Sequence, residues 1–331
     1  MNPRTEFPWL SGVAQRWYRR RTFGASSALG LGDLVASKRV AQASVSVVLP
    51  ALNEADTIGG ICAAIERDLL GTFVDELIVI DCASDDGTAA VAAANGASVY
   101  DVAEVLPERP VVAGKGEALW RSLSIVSGDL VVWLDSDIRN FSTAFVERLV
   151  APLLADPTIA YVKGSYRRPL ARGDELIPDE GGRVTELLAR PLLAAFFPEL
   201  GGFVQPLAGE YAGRVEVLRR VPFFSGYSVE AGLLIDLLEE VGLDALAQAD
   251  LGERVHRNRP LADLAPTAYA IGRTILQRAA ERGRLGNAPD LTSAPFLRPT
   301  PDGMESHDVR EIERPPMATF LSDELGGEAA S

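Results

Sequence analysis

Short apolar runs, each followed by a stretch of helical periodicity, most tightly constrain what this chain can fold into. Val45-Ser46-Val47-Val48-Leu49-Pro50, Glu76-Leu77-Ile78-Val79-Ile80-Asp81 and Leu130-Val131-Val132-Trp133-Leu134 are near-continuously apolar and rich in β-branched residues. Such runs read as strands buried on both faces. Shorter strands are expected at 97–100 and 159–163. After the first run, Asp56 is placed to N-cap a helix through Ile58, Ile61, Cys62 and Ile65. An alanine-rich helix opens after Ser84-Asp85-Asp86-Gly87-Thr88 and stops at Asn95-Gly96. Further helices are expected over 117–126 and 145–154. This alternation predicts an α/β fold with a mainly parallel sheet flanked by helices. Ligands of such sheets sit beyond the carboxyl ends of the strands. Here those ends carry residues 50–54, 81–86 and 135–137, so three acidic ends should meet at one edge.

The pattern changes near residue 170. Residues 169–182 are rich in Gly, Pro and charge and read as a loop. Helices are expected over 184–197, 229–241 and 261–282, and from about residue 287 Pro and acidic residues predict a weakly ordered tail. With 331 residues, 47% hydrophobic and 24% charged, the chain has the balance of a soluble globular protein. No apolar run approaches the ~18 residues that span a bilayer, and residues 1–12 lack the order of a signal peptide. Cys62 and Cys82 sit in apolar contexts and read as structural thiols of a cytoplasmic protein.

Net charge is −14, from 32 basic and 46 acidic residues, which argues against general nucleic-acid binding. Its distribution is uneven. Arg4, Arg16, Arg19, Arg20, Arg21, Lys38 and Arg39 face only Glu6 and Asp33 in residues 1–43, while eight acids crowd residues 300–331. A basic arm and an acidic tail could meet each other or a second subunit; a solvated arm is the simplest reading.

Asp135-Ser136-Asp137 carries the strongest chemical signal. Alone, Asp-x-Asp is most often an acidic turn. At the end of a buried strand, period-two alternation puts both carboxylates on one side of the chain. Two hard oxygen donors suit Mg²⁺ or Mn²⁺ on a diphosphate. Lys115, between Gly114 and Gly116, can approach a phosphate or sugar, although the spacing is not that of a Walker loop. Gly181-Gly182-Arg183-Val184-Thr185 opens a helix, where free N–H groups and an arginine suit a phosphate. His256 would ordinarily be structural; beside Asp-x-Asp it can offer a nitrogen to the metal.

Taken together, Val-Val-Leu-Pro-Ala-Leu-Asn-Glu, Val-Ile-Asp-Cys-Ala-Ser-Asp-Asp-Gly-Thr, Gly-Lys-Gly-Glu-Ala-Leu-Trp and Trp-Leu-Asp-Ser-Asp resemble the core of family 2-type GT-A glycosyltransferases. Lys163-Gly164-Ser165-Tyr166, Gly181-Gly182-Arg183-Val184-Thr185-Glu186, Gly226-Tyr227-Ser228-Val229-Glu230 and His256-Arg257-Asn258-Arg259 extend the resemblance to the actinobacterial glucosyl-3-phosphoglycerate synthases, over residues 40–285. The resemblance implies a GT-A fold: a Rossmann-like sheet with a helical, acceptor-binding C-terminal half. It implies retaining transfer of glucose from UDP-glucose to the 2-hydroxyl of 3-phosphoglycerate.

By the same resemblance, Pro50, Ala51, Leu52, Glu54, Ser84, Lys115, Asp135, Ser136, Tyr227 and Glu230 would hold the sugar nucleotide. Asp137 and His256 would ligate Mg²⁺ or Mn²⁺. Gly182, Arg183, Val184, Thr185 and Asn258 would hold the acceptor. Catalysis would fall to Glu230, Asp135 and the backbone at Leu207, and the helical second half would form a homodimer. The implied parts are a basic arm (1–43), a nucleotide-sugar core (44–165), an acceptor-binding part (166–285) and an acidic tail (286–331). Rival readings are a GT-A enzyme with another acceptor, such as a polyprenyl phosphate, a nucleotidyltransferase, or a non-catalytic binding module. The first usually brings amphipathic or spanning segments. The second brings a Gly-rich basic loop after the first strand, and Pro50 to Glu54 is neither.

Overall fold

A strand buried on both faces must pair its backbone groups with neighbouring strands, and the apolar runs do so in one eight-stranded sheet. The computed structural model describes residues 11–24, 29–167, 170–172, 175–177, 182–255, 261–286, 296–300, 303–307, 309 and 311–321. The sheet strands are β1 (Thr22–Phe23), β2 (Val45–Ala51), β3 (Glu76–Asp81), β4 (Ser98–Asp101), β5 (Leu130–Trp133), β6 (Tyr161–Arg167), β7 (Tyr211–Arg214) and β8 (Leu246–Glu253). Their order is β1-β8-β6-β7-β5-β2-β3-β4. All neighbours run parallel except β7, which is antiparallel to both β5 and β6. The mainly parallel sheet is as expected; the reversed strand in its middle is not visible as a run, because Tyr211–Arg214 is only four residues long.

Alternation decides the two cores. Along β5, Val131 and Trp133 enter one apolar cluster while Leu130 and Val132 enter the other. The helices that cover these faces are α1 (Gly12–Arg21), α2 (Leu31–Ala41), α3 (Ala55–Asp68), α4 (Thr88–Ala94), α5 (Lys115–Ile125), α6 (Ala144–Ala155), α7 (Arg190–Phe196), α8 (Val215–Leu218), α9 (Val229–Val241) and α10 (Leu261–Glu281). Ile58, Ile61, Cys62 and Ile65 form the buried stripe of α3, as their spacing requires. The N-cap of α3 is Glu54 and not Asp56, which lies in the first turn. Its end is capped from the neighbouring loop: Thr88 Oγ1 accepts from Glu54 N–H and Asp86 from Ala55 N–H.

Both termini depart from the expected pattern over the residues described. Trp17 is buried, donates from Nε1 to Leu246 O at 2.7 Å, and leads into β1 at the sheet edge. Apolar burial docks α1, so this part of the arm is not solvated. Arg20 and Arg21 pair with Asp244 and Asp156 rather than with the tail. Within the tail, residues 311–321 are packed. Glu313–Arg314 pairs with Phe223–Phe224, Met317 is fully buried, and Trp120 Nε1 donates to Pro315 O. No helix among the described residues is long and apolar enough to cross a membrane.

Candidate active site

The turn after β2 is braced from three sides. Asn53 adopts φ +57°, its N–H donates to Ser84 Oγ at 2.9 Å, and its side chain accepts from Asp85 N–H. Ser136 Oγ donates to Pro50 O, and Thr57 Oγ1 donates to Ser136 O. Beside this turn opens a cavity of about 730 Å³. Pro50, Ala51, Leu52, Glu54 and Cys82 line one side, and Gly114, Lys115, Asp135, Ser136 and Asp137 line the floor. Gly226 and Tyr227, Pro266, Thr267 and Ala270 of α10, and Val309 and Glu311 of the tail complete it. A volume of this size suits a small organic ligand or cofactor.

Charge organises the floor. Lys115 Nζ bridges two carboxylates, 2.5 Å from Asp135 Oδ1 and 2.8 Å from Glu230 Oε1. Burial works against the Lys115 charge, but Asp135 and Glu230 outweigh it and hold its pKa above the usual lysine range. Gly114 is the N-cap of α5 at φ +139°, and a Cβ there would stand 2.5 Å from Ser225 O. Only glycine therefore lets Lys115 start its helix against residues 225–226. Arg254 Nη2 donates to Asp135 Oδ2 and to Asp137 Oδ1, each at 2.7 Å. Its Nε lies 2.7 Å from Glu210 Oε1, a contact of opposite charges without hydrogen-bond alignment. Burial pushes the Glu210 carboxyl up, with Arg254 opposing. A Cβ on Gly209 would collide with the carboxylate of Asp135.

Three comparisons bear on this geometry. The model of the family "Glycosyl transferase family 2" matches residues 46–188. The glucosyl-3-phosphoglycerate synthase of Petrotoga mobilis is 40% identical over 306 residues, 91% of this chain and 94% of that one. Among solved structures, that of the Mycobacterium tuberculosis glucosyl-3-phosphoglycerate synthase in complex with Mn²⁺, UDP-glucose and phosphoglyceric acid aligns with TM-score 0.81 and 45% identity, covering 91% of this chain and 98% of that one. The chain belongs to the glucosyl-3-phosphoglycerate synthase family. It is a glycosyltransferase with the GT-A arrangement expected of that family. The mannosyl-3-phosphoglycerate synthase of Rubrobacter xylanophilus is similar too, with TM-score 0.83, 41% identity and coverage of 94% and 99%.

In this family setting the donor set fits a divalent ion. Mg²⁺ or Mn²⁺ on a diphosphate needs only one or two protein carboxylates, the substrate supplying further oxygens. Asp137 lines the cavity with its side chain 30% exposed, and only its Oδ1 is engaged by Arg254. Among the described residues no three His, Cys, Asp or Glu side chains cluster in a way that could hold a metal ion.

The structure brings together Pro50, Ala51, Leu52, Glu54, Lys115, Asp135, Ser136, Asp137 and Tyr227 as walls of one cavity, with buried Glu230 behind Lys115. Ser84 does not line it and instead braces Asn53. Gly182, Arg183, Val184 and Thr185 lie outside the lining. Gly182 has φ +74°, and Thr185 starts a π-helical turn, Thr185–Ala189, a distortion frequent at functional sites. Leu207 packs partly buried against the core in the turn that presents Gly209 to Asp135. His256 and Asn258 lie outside the described residues. Sequence reasoning missed Glu210, Arg254 and the wall formed by Val309 and Glu311. Arg254, two residues before His256, offered the one local signal.

Proposed function

We propose that this chain transfers glucose from UDP-glucose to the 2-hydroxyl of 3-phosphoglycerate, with retention at the anomeric carbon. The Lys115 bridge between Asp135 and Glu230, on the floor of the cavity of a family member, carries the reading. Pro50, Ala51, Leu52 and Glu54 would receive the uridine and Ser84 would hold their turn. Lys115 faces the diphosphate, with Asp135 and Ser136 beneath it, and Tyr227 and Glu230 stand on the hexose side. Asp137 with His256 would hold Mg²⁺ or Mn²⁺, which when bound neutralises charge on the diphosphate. Gly182, Arg183, Val184 and Thr185 offer helix-start N–H groups and a guanidinium to the acceptor phosphate, assisted by Asn258.

Retention is assigned to a front-face route. The bond from the anomeric carbon to the diphosphate oxygen breaks and the bond to the acceptor oxygen forms on the same face. The acceptor hydroxyl proton passes to the departing phosphate oxygen, while the backbone carbonyl at Leu207 supports the positive charge on the sugar. Glu230 Oε1 is engaged by Lys115 at 2.8 Å, which favours positioning the hexose over nucleophilic attack. The helical second half is read as a homodimer surface, checked by sedimentation, and the compartment as cytoplasmic. Burial pushes the free thiols of Cys62 and Cys82 up to about 12, in keeping with structural cysteines.

The test is an assay of UDP-glucose and GDP-mannose, each with 3-phosphoglycerate and with glycerate. The expected product is glucosyl-3-phosphoglycerate with the donor's anomeric configuration, and Asp137→Ala should lower turnover by ~10²-fold or more. Transfer to glycerate but not to 3-phosphoglycerate would overturn the acceptor, and preference for GDP-mannose would overturn the donor. Near-normal kcat in Glu230→Gln would exclude a covalent role.

A further inference from the structure

Lys163 of β6, opposite Tyr211 of β7, is fully buried and has no carboxylate within ion-pair distance among the described residues. Its Nζ donates to Tyr161 Oη at 3.3 Å and lies 4.2 Å from the centroid of the Tyr211 ring. Lys115 Nζ lies 5.9 Å from the same centroid, so one aromatic ring is shared by two ammonium groups. Every neighbouring element brings a group toward it. Tyr161 comes from its own strand and Glu210 and Tyr211 from the β7 side, while Gln248 stands beside it in register on the paired β8 with its side chain bonded to Thr22, Gly202 and Val204. Lys115 comes from α5, Asp135 from the end of β5 and Glu230 from α9. A buried ammonium without a carboxylate partner lowers folding stability. A methionine would fill similar space without that cost, so the charge has a use beyond packing.

We propose that Lys163 is a positioning residue for glycosyl transfer. Its ammonium holds the Tyr211 ring beside Lys115 and adds positive potential behind Glu230 and Asp135, so that the Lys115 bridge keeps its geometry while the diphosphate departs. The inference rests on the function proposed above and extends it to a residue that touches no substrate. Burial pulls the Lys163 amine down to about 7, against the opposing pull of Glu230, Glu210 and Asp135. Its charge is therefore lost as pH rises through about 7, and turnover should decline on that side. Stability carries the opposite sign. A lysine whose folded pKa lies below its ordinary value destabilises the fold most below about 7, and that effect fades as pH rises toward 10.5.

The experiment compares Lys163→Met with wild type across pH 6–9, with Tyr211→Phe and Tyr211→Leu alongside. Lys163→Met should lose about tenfold or more in kcat, keep KM for UDP-glucose within about threefold, and lack the decline above pH 7. Its Tm should equal or exceed that of wild type. Tyr211→Phe, which keeps the ring, should stay within about threefold in kcat, and Tyr211→Leu should resemble Lys163→Met. Unchanged kcat, a persisting alkaline decline, or kcat and Tm falling together in Lys163→Met would overturn the assignment, as would an unaffected Tyr211→Leu. Wild-type protein that transfers no glucose would overturn the underlying function. Active wild type with an indifferent Lys163→Met would overturn only the role of Lys163.

Discussion

Asp135 is gripped by Lys115 on one oxygen and Arg254 on the other, with Gly209 pressed against the carboxylate. A methyl group on Gly209 has no room unless that carboxylate moves, and two cations fix it where it is. Gly209→Ala should therefore lower kcat by ~10²-fold, since displacements of about 1 Å at a catalytic group have effects of that size. Gly60 is the contrast: it sits in α3 with nothing within 4 Å of its would-be Cβ. Gly60→Ala should leave turnover unchanged and stabilise the protein by about 0.5–1 kcal/mol, read as a higher Tm. Asp135, Asp137 and Lys115 were legible in the sequence because their residue types and strand-end position carry chemistry. The approach of Gly209 to Asp135 and the Arg254 pair were not, because they are contacts across 74 and 119 positions of sequence that no local pattern encodes.

Helix α5 joins the floor of the cavity to its far wall. Glu117 is fully buried and accepts from Arg121 Nε, one turn along, and from Arg314 Nε and Nη2, all at 2.8 Å. Arg314 follows Glu313, whose carboxylate takes Arg278 of α10 at 2.7 Å. The strap bearing Val309 and Glu311 is thus tied to both α5 and α10. Arg314→Ala should destabilise the protein by about 1.5–3 kcal/mol, the usual contribution of hydrogen bonds to charged groups. It should also raise KM for the sugar nucleotide several-fold, with kcat changed less, because the cavity wall loosens while the Lys115 bridge stays. Thermal melts and steady-state kinetics on one variant read both effects. Composition pointed the other way for this element. Eight acids and scattered prolines suggest disorder, but Met317 and the Arg314–Glu117 pair act through single contacts that an average over the segment dilutes.

At the scale of the whole molecule, the reversed strand β7 sets how the site is built. Parallel strands carry the turns after β2, β3 and β5, and Arg254 after β8, to the ligand edge. Insertion of β7 between β5 and β6 lets the chain approach from the opposite direction and bring Gly209 against Asp135. Helices α9 and α10 then add Glu230 and the far wall. Because the cavity is assembled from elements distant in sequence, a ligand that fills it should stabilise the fold as a unit. UDP with Mn²⁺ at 100-fold its Kd should raise stability by about 2.7 kcal/mol, and a chelator should remove most of the gain in Tm. The strap also sets an order in time. During synthesis the turn at residue 50 leaves the ribosome first, followed by Asp135, Tyr227 and α10, and Val309 and Glu311 come after every other wall. A nascent chain, or one ended early by a stop codon near residue 300, would lack Val309, Glu311 and the Arg314 partner of buried Glu117. Only translation through the strap closes the cavity on that flank.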